Sequence, residues 1–410
     1  MVQLAINGGA KIINRPLGKK WPIFDEREEQ AVLEVLHSGI WWRGGYRGEE
    51  QGKVSTLENT FAAYQDAQYG VAVTNGTTAL ECALKATGVG VGDEVIVPAL
   101  TFVASATAIA LVNGIPVFVD VDPTTFNIDP DALEAAITAR TKAAVVVHNG
   151  GYPADMDRIH AIAQARGITI IEDAAHAHGS EWRGKRVGAL SGLGTFSFQA
   201  FKALTAGEGG MVITNDQELA EKAFSFHNIG RIPGRPFYEF HRLASNLRMT
   251  EWQAAILLAQ LSRFDEQVAT RERNARYLAR GLQEIEGVAP IQRDERVTRW
   301  SFYYWNFLYD QAAFDGVPRD RFLDAVRAEG APVNVGAHGR PIYHNPIFET
   351  MSSIAGVPVD FREVDCPQAE HIYANVALSL PHAAFLGEQE DMDLILAAIR
   401  KVRANVSELL

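Results

Sequence analysis

The chain has 410 residues, of which 47% are hydrophobic and 21% charged, and its formal net charge is −12. That length exceeds one ordinary domain and buries a core easily, while the acidic balance excludes a general binder of nucleic acid, which requires clustered Lys and Arg. Two cysteines, Cys82 and Cys366, exclude a disulfide framework and a zinc ribbon.

Met1 to Arg15 lacks the continuous apolar run of a signal peptide. No window approaches the roughly 18 apolar residues of a membrane span, so a cytoplasmic protein is expected. Residues 1–24, broken by Gly8, Gly9, Pro16 and Pro22, read as an arm or loop rather than a packed element. A helix is predicted over 26–36, with Ala31, Val32 and Val35 at helical spacing. Gly39 to Gly52 combines glycine with Trp41, Trp42 and Tyr46, the mixture of a surface or binding loop.

From residue 70 onward strands and helices alternate. Strands are predicted at 71–74, 95–98, 117–121, 143–147, 168–171, 196–198 and 211–214. Helices fall between them at 77–87, 104–111, 131–139 and 159–166. Near-continuous apolar strands separated by helices imply a largely parallel sheet covered on both faces. A long helix starts near Thr250, with Gln253 placed to reach back as a capping box. Running past Phe264 to Leu282, it reads as a spine between the sheet domain and a smaller C-terminal domain.

Ligands of such sheets sit at the carboxyl ends of the strands. After 71–74 comes Asn75-Gly76-Thr77-Thr78, opening a helix. Free N–H groups, a glycine that permits close approach and two hydroxyls suit an anion; a plain N-cap has the same composition. After 168–171 comes Glu172-Asp173-Ala174-Ala175-His176-Ala177-His178-Gly179. Asp173 is placed to hold a protonated ring nitrogen, but a structural cap, a metal site or satisfied core histidines fit the segment too. Further on, Lys202 lies between the aromatic-rich Phe196-Ser197-Phe198 and the turn Gly207-Glu208-Gly209-Gly210. A lysine in apolar company has its charged form disfavoured and becomes a nucleophile able to form a Schiff base. Gly88-Val89-Gly90-Val91-Gly92 follows a helix and lacks the spacing of a dinucleotide fingerprint.

In this order, these segments resemble the DegT/StrS family of sugar aminotransferases dependent on pyridoxal 5′-phosphate (PLP). The resemblance spans Trp21-Pro22 to Leu380-Pro381-His382, and Phe196-Ser197-Phe198-x-x-x-Lys202 is its most specific part. It implies an α/β protein of PLP fold type I, the aspartate aminotransferase-like class. A large, mostly parallel sheet domain (25–265) follows the arm (1–24) and precedes a small C-terminal α/β domain (266–410). It also implies a homodimer with shared active sites.

Residue by residue, Lys202 matches the Schiff-base lysine and Asp173 the acid that pairs with the pyridine nitrogen. Phe102 matches the aromatic that stacks on the cofactor ring. Gly76, Thr77 and Ser197 match phosphate-binding positions, with Thr78 beside them. Asn246 matches a residue reaching the phosphate from the partner subunit. His176 stands where many members carry Gln beside the ring hydroxyl, and with Asn7-Gly8-Gly9, Trp41-Trp42-Arg43 and Ile342-Tyr343-His344 it resembles the ketocyclitol and 3-amino-5-hydroxybenzoate branch. Trp41, Trp42, Tyr343 and His344 are the candidate substrate walls. Asn149 and Gly150 depart from the larger residues common there.

The activity so implied moves an amino group from L-glutamate or L-glutamine to a keto sugar or ketocyclitol, without a metal. An aromatizing synthase of 3-amino-5-hydroxybenzoate is the alternative, and a PLP-binding regulator without turnover a distant one. Lysine at 202 argues against the dehydratases of the family, which carry histidine there.

Overall fold

The computed structural model describes residues 3–45 and 51–410; Tyr46, in the glycine- and aromatic-rich loop, lies outside them. Two helices, α1 (Glu26–Ser38) and α2 (Lys53–Tyr64), precede the first strand. The large domain then runs β1 (Tyr69–Val73), α3 (Gly76–Ala86), β2 (Glu94–Pro98), α4 (Ala104–Leu111), β3 (Ile115–Val119), α5 (Pro130–Ala135), β4 (Thr141–Val147), α6 (Met156–Arg166) and β5 (Thr169–Asp173). A short hairpin, β6 (Glu181–Trp182) and β7 (Lys185–Arg186), precedes β8 (Leu193–Ser197), β9 (Gly210–Thr214) and α7 (Gln217–His227).

Seven of these strands form one sheet in the order β1-β9-β8-β5-β4-β2-β3. The pairs β8–β5, β5–β4, β4–β2 and β2–β3 are parallel, and β9 runs antiparallel to β1 and β8. Val95, Ile96, Val97 and Ala143 to Val146 are wholly buried, as residues of strands covered on both faces must be.

Helices α8 (Glu251–Leu261) and α9 (Phe264–Leu282) lead into β10 (Val288–Pro290), β11 (Val297–Arg299), β12 (Tyr304–Tyr309), α10 (Arg319–Ala328), β13 (Asn334–Val335), α11 (Pro346–Thr350), β14 (Ser353–Ile354), β15 (Val357–Pro358), α12 (Pro367–His371), β16 (Ala377–Pro381) and α13 (Gln389–Ala404). Here the sheet is antiparallel, in the order β10-β12-β16-β13. Among the described residues no helix is long and apolar enough to cross a membrane.

Two expectations need correction, and one helix was missed. The predicted spine is two helices, because Arg263 leaves helical geometry at φ −113°, ψ 0°. Its buried guanidinium turns to the Glu28 carboxylate (2.8 Å), Asp25 (3.2 Å) and the Ile23 carbonyl (3.1 Å). The predicted cap of α8 is present: Thr250 N and Oγ1 donate to Gln253 Oε1 at 3.0 and 2.9 Å.

The N-terminal segment is irregular but packed. Leu4 and Ile13 are buried, and Glu329 accepts from Ala5 N (2.8 Å) and Ile12 N (3.1 Å). Finally, α2 was not read from the sequence, although Val54, Leu57 and Phe61 bury one stripe at helical spacing.

Candidate active site

The carboxyl ends of β1, β2, β5 and β8 open into a cavity of about 630 Å³. Gly76, Thr77, Thr78, Phe102, Asp173, His176, Ser197 and Lys202, eight of the residues singled out in the sequence, all line it.

At the mouth of α3, Asn75 Oδ1 accepts from Thr78 N (2.9 Å) and Asn75 N donates to Thr78 Oγ1 (3.2 Å). The Thr78 hydroxyl is therefore engaged in the cap, donating to Asn75 O at 2.9 Å. Gly76 N and Thr77 N find no acceptor among the described residues. They face the cavity with the hydroxyls of Thr77 and Ser197. A Cβ at Gly76 would lie 2.7 Å from Ser197 Cβ, so only glycine lets the ends of β1 and β8 close around this point. Free helix-start N–H groups with hydroxyls beside them form a phosphate cradle, and the cofactor implied by the family fits it.

Asp173 ends β5, buried. Ser105 Oγ donates to its Oδ2 at 2.8 Å and Ala175 N to its Oδ1 at 3.2 Å. Burial pushes its carboxyl above the ordinary range, opposed by these donors and by Lys202. Lys202 is buried too, and its Nζ lies 4.2 Å from the centre of the Tyr303 ring. Among the described residues it forms no ion pair. Burial brings its amine down from 10.5 to about 8, against the pull of Asp173. An amine that sheds its proton near pH 8 and faces the same cavity as a buried acid is equipped for covalent attachment and proton transfer.

Glu172, one residue before Asp173, points the other way. It accepts from Gly188 N (2.6 Å) and Ser191 N (2.7 Å) and meets His148 Nε2 at 3.1 Å. Burial alone would raise its pKa, but these contacts hold it below the ordinary value. His178 Nε2 is satisfied by Ser197 O at 2.9 Å. Among the described residues no group of three or more His, Cys, Asp or Glu is placed to hold a metal. His176, lowered well below its usual value by burial and Lys202, is neutral.

The other candidates lie outside the cavity. Trp41 packs on Trp252 with ring centres 5.1 Å apart, and Trp42 pairs with Thr250. Asn246 is exposed and bridges Asn228, a position that does not reach the cavity of its own chain. Tyr343 and His344 both bond Glu370, and the Tyr343 ring is buried against Phe118. Among the cavity residues not assigned to the site from the sequence are Ser105, Tyr303 and His338. Ser105, one turn beyond Thr101 on α4, and His338, between Gly336 and Gly339, carried a local signal.

An α/β fold with a buried lysine and acid at its strand ends defines an enzyme of the aminotransferase class. The sequence matches the DegT/DnrJ/EryC1/StrS aminotransferase family over residues 22–400, and the chain belongs to that family. It is similar to the L-glutamine:2-deoxy-scyllo-inosose aminotransferase of Micromonospora echinospora, 40% identical over all of both chains. It is also similar to the 3-amino-5-hydroxybenzoate synthase of Amycolatopsis mediterranei, 41% identical over 90% of this chain and 93% of the relative. The solved structure of a 3-amino-5-hydroxybenzoic acid synthase superimposes with a TM-score of 0.85 at 37% identity, covering 95% of this chain and all of that one.

Proposed function

We propose that this enzyme is a cytoplasmic, PLP-dependent aminotransferase that passes the amino group of L-glutamine, or of L-glutamate, to the ketone of a polyhydroxylated ring, a ketocyclitol. One observation carries the reading: the buried amine of Lys202, its pKa brought down to about 8 and without an ion-pair partner among the described residues, faces the cavity that also holds Asp173 and the Gly76–Thr77 cradle. The relative from Micromonospora echinospora supplies the choice of donor and acceptor.

Gly76 N, Thr77 N and the Thr77 and Ser197 hydroxyls would hold the phosphate, Phe102 the ring face, Asp173 the ring nitrogen and His176 the ring hydroxyl. When bound, the cofactor supplies an aldehyde that receives the amino group and a ring that accepts electrons from the substrate carbon. Lys202 would be the residue that holds the cofactor. Its Nζ, when free and neutral, would take the proton from the carbon that bears the donor's amino group and return it on the cofactor side, to the carbon that keeps the amino group; on the acceptor the same transfer would run in the opposite direction. Asp173 would pair with the ring nitrogen, and the Ser105 hydroxyl, donating to its Oδ2, would favour the charged carboxylate there.

We further propose a homodimer, in which residues 25–265 carry the cofactor and 266–410 the smaller domain. Two features support it. Tyr238 is 83% and Leu243 99% exposed on the segment that bears Asn246. A mostly apolar groove of about 660 Å³ between Phe24, Leu33 and Ile256 also lies open. Patches of this kind mark association surfaces.

The test is absorbance of the purified protein with PLP, before and after L-glutamine or L-glutamate, followed by a panel of cyclic polyhydroxylated ketones. A visible band that bleaches with one donor and returns with a ketocyclitol establishes the reaction. No band means that Lys202 does not hold the cofactor. A second reading, the aromatizing synthase, is favoured by the 41% identity to such an enzyme; it predicts an ultraviolet-absorbing aromatic product in place of an amino polyol.

A further inference from the structure

Asn149 and Gly150, the departures noted in the sequence, have a structural counterpart. Gly150 and Gly151 adopt φ +63° and +103°. A Cβ at Gly150 would lie 2.9 Å from the Tyr304 ring, and one at Gly151 2.3 Å from Ser301 O. The absence of side chains there lets the start of β12 close onto the end of β4, where Tyr303 N donates to Gly150 O at 3.0 Å.

This approach brings Asn149 into a buried amide chain. Its Oδ1 accepts from Tyr304 Oη (3.0 Å) and Asn306 Nδ2 (3.2 Å), and its Nδ2 donates to Leu100 O (3.2 Å). Asn306 Oδ1 in turn accepts from Ala337 N at 3.3 Å. Asn149 and Asn306 are both buried, and neither lines the cavity.

The chain of bonds ends at a costly turn. Ala337 and His338 are consecutive non-glycine residues at φ +56° and +71°. Such a turn persists only where its surroundings hold it. It carries His338 into the cavity wall, with its ring centre 5.4 Å from Phe102 and 4.9 Å from His176. Neither ring nitrogen has a partner among the described residues. Burial and the nearby Lys202 lower His338 to about 3, so it presents one donor and one acceptor without charge. A hydroxyl, itself donor and acceptor, matches such an imidazole; the carboxylate of an amino acid calls for a cation.

We propose that the Asn149–Asn306 relay is a positioning device that sets His338, and that His338 reads a ring hydroxyl of the acceptor. The proposal rests on the ketocyclitol reading above. It assigns Asn149 a role in substrate choice although Asn149 touches neither the cavity nor the cofactor cradle.

The test compares His338→Phe, His338→Gln and Asn149→Ala with the parent enzyme. Two quantities are read in each: kcat and KM for a polyhydroxylated cyclic ketone against those for a 2-oxo acid, and the calorimetric Kd of a cyclic amino polyol on the PLP-loaded protein. Loss of one neutral hydrogen bond predicts that His338→Phe lowers the ketone-to-oxo-acid ratio of kcat/KM about tenfold, mainly through KM, and weakens the amino polyol by a similar factor. His338→Gln should recover most of the ratio, and Asn149→Ala should shift it in the same direction as His338→Phe. Equal losses on both acceptor classes, or an unchanged ratio in His338→Phe, would overturn the assignment of His338. An unchanged ratio in a folded Asn149→Ala would overturn the relay. A parent enzyme that turns over the oxo acid but no cyclic ketone would sink the functional reading itself, a result distinct from either.

Discussion

Ser105 Oγ donates to Asp173 Oδ2 at 2.8 Å from the first turn of α4, tying the loop that carries Phe102 to the acid at the end of β5. Asp173 is buried and its carboxyl is biased toward the neutral form. Each donor that favours the carboxylate therefore matters to a ring nitrogen that needs a charged partner. Ser105→Ala should weaken cofactor binding and lower kcat by about tenfold, one hydrogen bond to a charged group. Equilibrium dialysis of PLP checks the first effect and steady-state kinetics the second; unchanged values in both would remove Ser105 from the site. Asp173→Asn should be far more severe in both measurements.

Lys202 predicts a pH dependence. Its folded pKa is lowered from 10.5 to about 8, so the neutral amine accumulates as pH rises through 8. Attachment of PLP to the cofactor-free protein, trapped by borohydride, should accelerate roughly tenfold per pH unit below 8 and level off above it. A rate still climbing between pH 9 and 10 would assign the lysine an ordinary environment. The unfolded chain holds a proton between about 8 and 10.5 that the folded one has released, so the stability contribution of this lysine rises with pH across that window. Lys202→Ala should abolish both the trapped adduct and transamination.

Gly76 makes a steric prediction. A methyl group added there must displace Ser197, 2.7 Å from the new Cβ, and Ser197 belongs to the strand end on the opposite side of the cradle. Gly76→Ala should raise the Kd for PLP by about tenfold or more, the effect of disturbing at least one charge-assisted phosphate contact. The melting temperature of the cofactor-free protein should fall much less than that of the loaded one. Equal falls would mean that Gly76 serves the fold alone.

These residues differ in how legible they were. The strand ends and their cargo follow from period and order: α4 was predicted at its observed bounds, and eight predicted residues share one cavity. Local chemistry marks them, because a helix start, a glycine-rich turn and an apolar lysine leave short-range traces. Tyr343 and His344 were less legible, since an aromatic pair beside a proline has the same composition in a core as in a pocket; their contacts within this chain, Phe118 and Glu370, come from other elements. Asn149 was visible as a departure, but its meaning depends on Asn306, 157 positions away along the chain, a pairing that no local pattern encodes. The break at Arg263 was hidden for the same reason, its acidic partners lying on and before α1.

The packed N-terminal segment gives the last prediction. Glu329 is wholly buried and meets Lys401 Nζ at 2.8 Å, while accepting from the backbone of Ala5 and Ile12. Lys401, itself buried, also donates to Ala10 O at 2.7 Å. Glu329→Ala would leave the ammonium buried without its counter-charge and two backbone N–H groups without acceptors. Breaking one side of a buried pair costs about 3–5 kcal/mol, so the variant should unfold at markedly lower urea concentration. Pairing it with Lys401→Met should restore part of the loss, because the uncompensated charge is gone although the orphaned N–H groups remain. If the double variant is instead as unstable as the sum of the two single changes, the two side chains act independently and their pairing does not hold the segment.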